Sequence, residues 1–93
     1  MANNKSAKKR IEINKRNRLR NKYYKTSFRT LLKLFFTNLE IYKESQKIED
    51  KRKVQEILSS IYSIVDKGMK KKIFHKNLAA RKKARLAAYL KAA

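Results

Sequence analysis

Residues 21–47 read NKYYKTSFRTLLKLFFTNLEIYKESQK. Within them Tyr24, Phe28, Leu31, Phe35, Leu39 and Tyr42 step by four, three, four, four and three. A helix turns by about 100° per residue, so these side chains share one face. Leu32 and Phe36 widen it. An apolar face this long needs another element to cover it. Val54, Ile57, Leu58, Ile61 and Val65 form a second stripe of the same period. Phe74, Leu78, Leu86, Tyr89 and Leu90 form a weaker third, set among Ala79, Ala80, Ala84, Ala87 and Ala88. Alanine favours helix strongly and lets a neighbouring helix come close.

The chain has no Pro and one Gly, Gly68. Without those residues tight turns and sheets are hard to build, and long helices are easy. The expected fold is all-α: an antiparallel three-helix bundle with helices over about 6–47, 51–71 and 76–91. The 93 residues suffice for one domain, 1–93. Only the second half of the first helix carries the apolar stripe, so its basic first half is expected to extend beyond the bundle. Asp50 is the expected N-cap of the second helix, since a carboxylate there accepts from a free backbone N–H. A short turn over 72–75 leads to the third helix.

Charge divides the chain differently. There are 27 Lys+Arg against 7 Asp+Glu, a net charge of +20. Residues 1–33 hold 12 cations and one acid, Glu12; residues 67–93 hold 10 cations and no acid; the middle is close to neutral. Self-repulsion of this size opposes compaction unless a polyanion neutralises it. On the first helix Lys15, Arg18, Lys22, Lys25, Arg29 and Lys33 form a seam, with Arg16 beside it. The seam lies about 135° around the helix from the apolar stripe. A solvated helix face normally mixes signs to gain i,i+4 pairs, and this one does not. It is therefore read as a phosphate-facing surface. Asn3, Asn4, Asn14, Asn17 and Asn21 lie among the cations, with amides able to bond phosphate, ribose or base edges. Tyr23 and Tyr24 adjoin the seam and could stack on bases. Tyr24 also lies on the apolar stripe and is expected in the core, whereas Tyr23 is open to either role. The third helix carries Lys76, Arg81, Lys82, Lys83, Arg85 and Lys91 on most of its circumference. Lys82 and Arg85 border its apolar stripe, so their stems are expected to pack with their heads outward. Lys70, Lys71 and Lys72 add a basic run at the turn.

Several chemistries are excluded. With no Cys there is no disulfide framework, thiolate nucleophile or Cys-ligated zinc. A lone His75 has no evident catalytic or metal partner, and is expected to cap a helix or bond RNA. The acids from Glu40 to Asp66 sit among Lys43, Lys47, Lys51, Arg52 and Lys53 and read as surface ion pairs. One Gly cannot build a P-loop, a dinucleotide turn or a nucleophile elbow. No apolar run reaches the ~18 residues of a membrane span. No catalytic residue, metal, cofactor, membrane association or small-molecule substrate is expected. A membrane-surface helix is the nearest rival, but it needs bulky apolar groups along its basic stretch. Residues 1–20 offer only Met1, Ile11, Ile13 and Leu19. DNA compaction is a third reading that charge alone does not exclude. Residues 1–20, lacking an apolar stripe, are expected to be largely unfolded without RNA.

Two end motifs resemble a known family. Residues 1–10, MANNKSAKKR, resemble the opening of the bacterial and plastid small-subunit ribosomal protein numbered twenty. Residues 73–86, IFHKNLAARKKARL, resemble its third-helix motif, and Ile64-Val65-Asp66-Lys67 its second-helix ending. The resemblance implies a three-helix bundle with a long first helix. It implies direct binding to small-subunit ribosomal RNA, mainly the 5′ domain and the base of the long penultimate stem, beside other small-subunit proteins. An early assembly role is implied too. By position, the RNA-facing residues it implies are Lys5, Lys8, Lys9 and Arg10, then His75, Lys76, Asn77, Arg81 and Arg85. The family usually has Gly where this chain has Lys72, a place suited to a left-handed C-cap. A loosened end of the second helix is expected from that departure. The opening motif stands at residue 1, so the expected place of synthesis is the place of action, bacterial cytoplasm or plastid stroma. The abundance of Lys, Asn, Ile, Tyr and Phe, as in an AT-rich genome, leans toward plastid.

Overall fold

The computed structural model describes residues 5–93. Asn3 and Asn4, with the first four residues of the opening motif, lie outside the described residues. The chain forms α1 (Lys5–Ser45), α2 (Ile48–Lys70) and α3 (Lys76–Ala92), and no strand among the described residues. It is an elongated antiparallel bundle, 67 × 21 × 13 Å. Relative to expectation, α1 stops two residues before 47, α2 starts three residues before 51 and ends one before 71, and α3 runs one past 91.

The core is the meeting of the three stripes. Phe35, Leu39, Tyr42, Val54, Ile61, Val65, Ala79 and Leu86 form one buried cluster, and Phe35, Val54 and Ile61 are 0% exposed. The buried residues of α1 are Tyr24, Phe35, Leu39 and Tyr42, all on the predicted stripe and all beyond residue 23. The contact row of α3 is shifted from its predicted stripe. Ala79 and Leu86 are buried, whereas Leu78 and Tyr89 are largely exposed. Tyr89 instead stands edge-on to Phe36 of α1, with ring centroids 5.6 Å apart.

The joint between α1 and α2 corrects the expected cap. Lys47, not Asp50, is the N-cap of α2, and it makes no side-chain cap bond. Gln46 is left-handed, with φ 54°, and its N–H donates to the Tyr42 carbonyl at 2.8 Å. Its side-chain amide donates to the Lys43 carbonyl at 3.2 Å. The chain thus reverses at once and α2 begins before Asp50 is reached. Ser45 does the joining: its Oγ accepts from the Lys47 N–H at 3.3 Å and donates to the Asp50 carboxylate. Asp50 and Glu49 remain in the first turn of α2, where negative charge suits the helix dipole.

The joint between α2 and α3 answers the question posed by Lys72. Its φ is 62°, the left-handed conformation that Gly adopts freely. The Lys72 N–H donates to the Met69 carbonyl at 3.0 Å and the Ile73 N–H to the Gly68 carbonyl at 2.8 Å. These two bonds make a complete Schellman motif, closed without glycine at a strain of about 1–2 kcal/mol. Gly68 serves a different purpose one turn earlier. A Cβ there would lie 2.6 Å from Phe74 Cε2, so the bare backbone is what lets the Phe74 ring lie down on α2. Phe74 also meets Phe28 of α1, with ring centroids 5.7 Å apart, so this corner ties all three elements.

Candidate nucleic-acid interface

Residues 5–22 of α1 have no core of their own. Ile11 and Leu19 are 67% and 56% exposed. Helical structure there places the cations in space but buries nothing beneath them. Lys5, Lys8, Lys9, Arg10, Lys15, Arg16, Arg18, Lys22, Lys25 and Arg29 are all exposed. Two ion pairs form among the described residues, Lys43–Glu40 and Lys83–Asp66, and neither uses any of these cations.

The seam is a shaped surface. Arg18, Lys22, Lys25 and Arg29 line a shallow open groove together with Asn14, Asn17, Asn21 and Thr26. Ile11, Asn14, Lys15 and Arg18 line its continuation toward the N-terminus. At about 1.5 Å rise per residue, Ile11 to Arg29 spans roughly 27 Å. Cations, amides and one hydroxyl along that length suit a ribose–phosphate backbone, whose oxygens accept hydrogen bonds throughout. Arg16, Lys5, Lys8, Lys9 and Arg10 lie on α1 but outside these grooves. Thr26 was missed by sequence reasoning, although its place four residues after Lys22 and three before Arg29 is a legible signal.

On α3 the structure separates the basic residues by role. His75 is the N-cap: its Nδ1 accepts from the Asn77 N–H at 3.2 Å. An accepting Nδ1 carries no proton, so Nε2 holds the ring N–H and remains a donor. Lys76, Asn77, Arg81 and Arg85 are exposed, and Asn77, Arg81 and Arg85 step by four on the side away from Ala79 and Leu86. Arg85 therefore does not border the packed face as expected. Lys82 does: its Nζ lies 5.4 Å from the centre of the Phe28 ring. A cation over an aromatic face is held by the ring quadrupole while its head stays in water. Lys83 belongs to the fold. Its Nζ pairs with Asp66 and lies 5.2 Å from the Tyr62 ring centre, while its carbonyl accepts from Tyr62 Oη at 3.2 Å.

Among the described residues no group of His, Cys, Asp and Glu could hold a metal ion, and no helix is long and apolar enough to cross a membrane. The chain is thus a small helical bundle with a projecting basic stretch, residues 5–22 of α1, whose cations make no ion pair among the described residues. The family model for ribosomal protein S20 matches residues 2–91, and the chain belongs to that family. Small ribosomal subunit protein bS20c of Phaeodactylum tricornutum is 66% identical over 91 residues, 98% of each chain. The bS20c protein of Trieres chinensis is 58% identical over the whole of both chains. Small ribosomal subunit protein bS20 of Gloeothece citriformis is 50% identical over 98% of this chain and 94% of its own.

Proposed function

We propose that this chain is a structural, non-catalytic protein of the small ribosomal subunit that binds directly to small-subunit ribosomal RNA and helps it assemble. Family membership supports the subunit, and one observation carries the mode of binding. A groove of unpaired cations and amides runs along a helix that extends past its own core. Residues 1–93 act as one RNA-binding domain. Lys5, Lys8, Lys9, Arg10, Lys15, Arg16, Arg18, Lys22, Lys25 and Arg29 contact the RNA from α1. His75, Lys76, Asn77, Arg81, Lys82 and Arg85 contact it from α3. Neighbouring small-subunit proteins are further partners. The compartment is plastid stroma or bacterial cytoplasm, with the residue bias favouring the plastid.

The mechanism is electrostatic and geometric. Duplex RNA shows phosphates and 2′-hydroxyls across a shallow minor groove, and recognition there is mostly of shape. A straight basic helix meets that surface without needing to read bases. Each neutralised phosphate releases condensed counterions. With six to ten such contacts, affinity falls by about 10³–10⁵ between roughly 50 and 200 mM salt. The test is binding to small-subunit ribosomal RNA against an unrelated structured RNA of equal length, over a salt series. A steep slope with strong preference for the ribosomal RNA is expected. Equal affinity for both RNAs would reduce the protein to a polycation and overturn specific recognition.

A further inference from the structure

A second cleft lies between α1 and α2, and no residue of α3 lines it. It is shallow, open and largely apolar in lining, and six hydroxyl-bearing residues border it: Tyr23, Thr26, Ser27 and Thr30 from α1, Ser60 and Ser63 from α2. Half-buried Leu31 and Ile64 line it as well. Ser60 Oγ donates to the Glu56 carbonyl at 3.2 Å. The other five hydroxyls make no hydrogen bond within the described residues. No acid lines the cleft, and Thr26 lines both it and the basic groove, so the two surfaces are continuous. At the rim Tyr23 is 62% exposed. Its ring stands edge-on to buried Tyr24, at 5.4 Å and 87°.

We propose that this cleft takes one unpaired nucleotide of the RNA that the basic groove grips, with the base stacked on Tyr23. The proposal rests on the RNA-binding reading above and extends it to a site of different chemistry. Hydroxyls both donate and accept, which matches the 2′-hydroxyl and phosphate oxygens of a single nucleotide. The apolar contribution of Leu31 and Ile64 suits the sugar carbons. Tyr23 supplies a π-face, and its contact with Tyr24 sets the ring orientation before binding. An acidic peptide would ask for cations in the walls, and none line the cleft. A partner helix would leave the bordering hydroxyls unused, whereas an unstacked nucleotide uses hydroxyls, apolar lining and ring together. Single-stranded positions are where RNA exposes bases to aromatic side chains.

The experiment uses the full chain with transcribed small-subunit ribosomal RNA. A photoreactive side chain is placed at Ser63, on the near-neutral α2, and in a separate variant at Arg18 in the basic groove. RNA capture from both positions is expected. Capture at Arg18 and not at Ser63 overturns the cleft proposal and leaves the groove standing; capture at neither overturns both. In parallel, Tyr23→Ala is expected to weaken binding by roughly five- to a hundredfold, the range of one lost base stack. Tyr23→Phe, which keeps the ring, is expected to bind within about twofold of the parent. Unchanged affinity in Tyr23→Ala, or equal loss in both variants, overturns the stacking. Helical content and melting temperature of each free variant separate lost binding from lost folding.

Discussion

The two halves of α1 belong to one unbroken helix and are stabilised in different ways. Residues 24–45 are held by α2, with Phe35 and Leu39 sealed in the core. Residues 5–22 continue the same backbone hydrogen bonding over exposed side chains of a single sign, save Glu12. Intrinsic propensity alone rarely holds a helix in water, and like charges at i,i+4 oppose it. The first half is thus stable to the extent that something outside the chain neutralises it. The basic seam overlaps the core stripe from Tyr24 to Arg29 but lies on another face of the helix, so substitutions in one should leave the other intact.

The sharpest way to break that separation is Phe35→Ala. A loss of about 3–5 kcal/mol is expected in chemical denaturation, enough to unfold much of a bundle this small. The opposite test is Arg18→Ala, Lys22→Ala and Lys25→Ala together. Affinity for small-subunit ribosomal RNA is expected to fall roughly a hundredfold at about 1 kcal/mol per contact, with the logarithmic salt slope reduced by about two to three. Its melting temperature should not fall, because none of the three cations touches the core. Hydrogen exchange reads both halves at once. In the free protein the amides of residues 8–20 should exchange near the unstructured rate while those of 54–65 are protected by the global stability. Protection of 8–20 should appear when RNA is added. Equal protection in the free protein would show that the projecting half is self-sufficient.

Most of the packed half was legible because its signals are periodic. The stripe from Tyr24 to Tyr42 needed only the helix angle, and the basic seam needed only the same angle applied to charge. What escaped the sequence was local and contingent. Asp50 is a good capping residue, but Ser45 and the left-handed Gln46 turn the chain before it. Leu78 lies on the apolar stripe of α3, yet its neighbour Ala79 is the residue that is buried while Leu78 stays 46% exposed. The charge of Lys83 could not be told from that of Lys82 until their partners were known. The hydroxyl cleft has no sequence signature, since its walls come from two helices joined only by folding.

Two smaller substitutions sharpen the corner between α2 and α3. Gly68→Ala forces a methyl onto the Phe74 ring and should destabilise by about 1–3 kcal/mol, despite the better helix propensity of Ala. Lys72→Gly removes left-handed strain and should stabilise by about 1 kcal/mol, seen as a rise in melting temperature. If Lys72→Gly also raises the protection of amides 66–72, the end of α2 is loosened in the parent by its missing glycine.

The continuity of α1 through both halves also makes it a lever. Once RNA holds the basic half helical, the arm from Tyr24, the first buried residue, to Lys5 is about 28 Å long at roughly 1.5 Å per residue. A tilt of about 5° at the seat would swing the tip by roughly 2.5 Å, close to the length of a hydrogen bond. The fit of Phe28 and Phe74 beside that seat therefore sets where the farthest cations land, although neither ring touches the surface they meet.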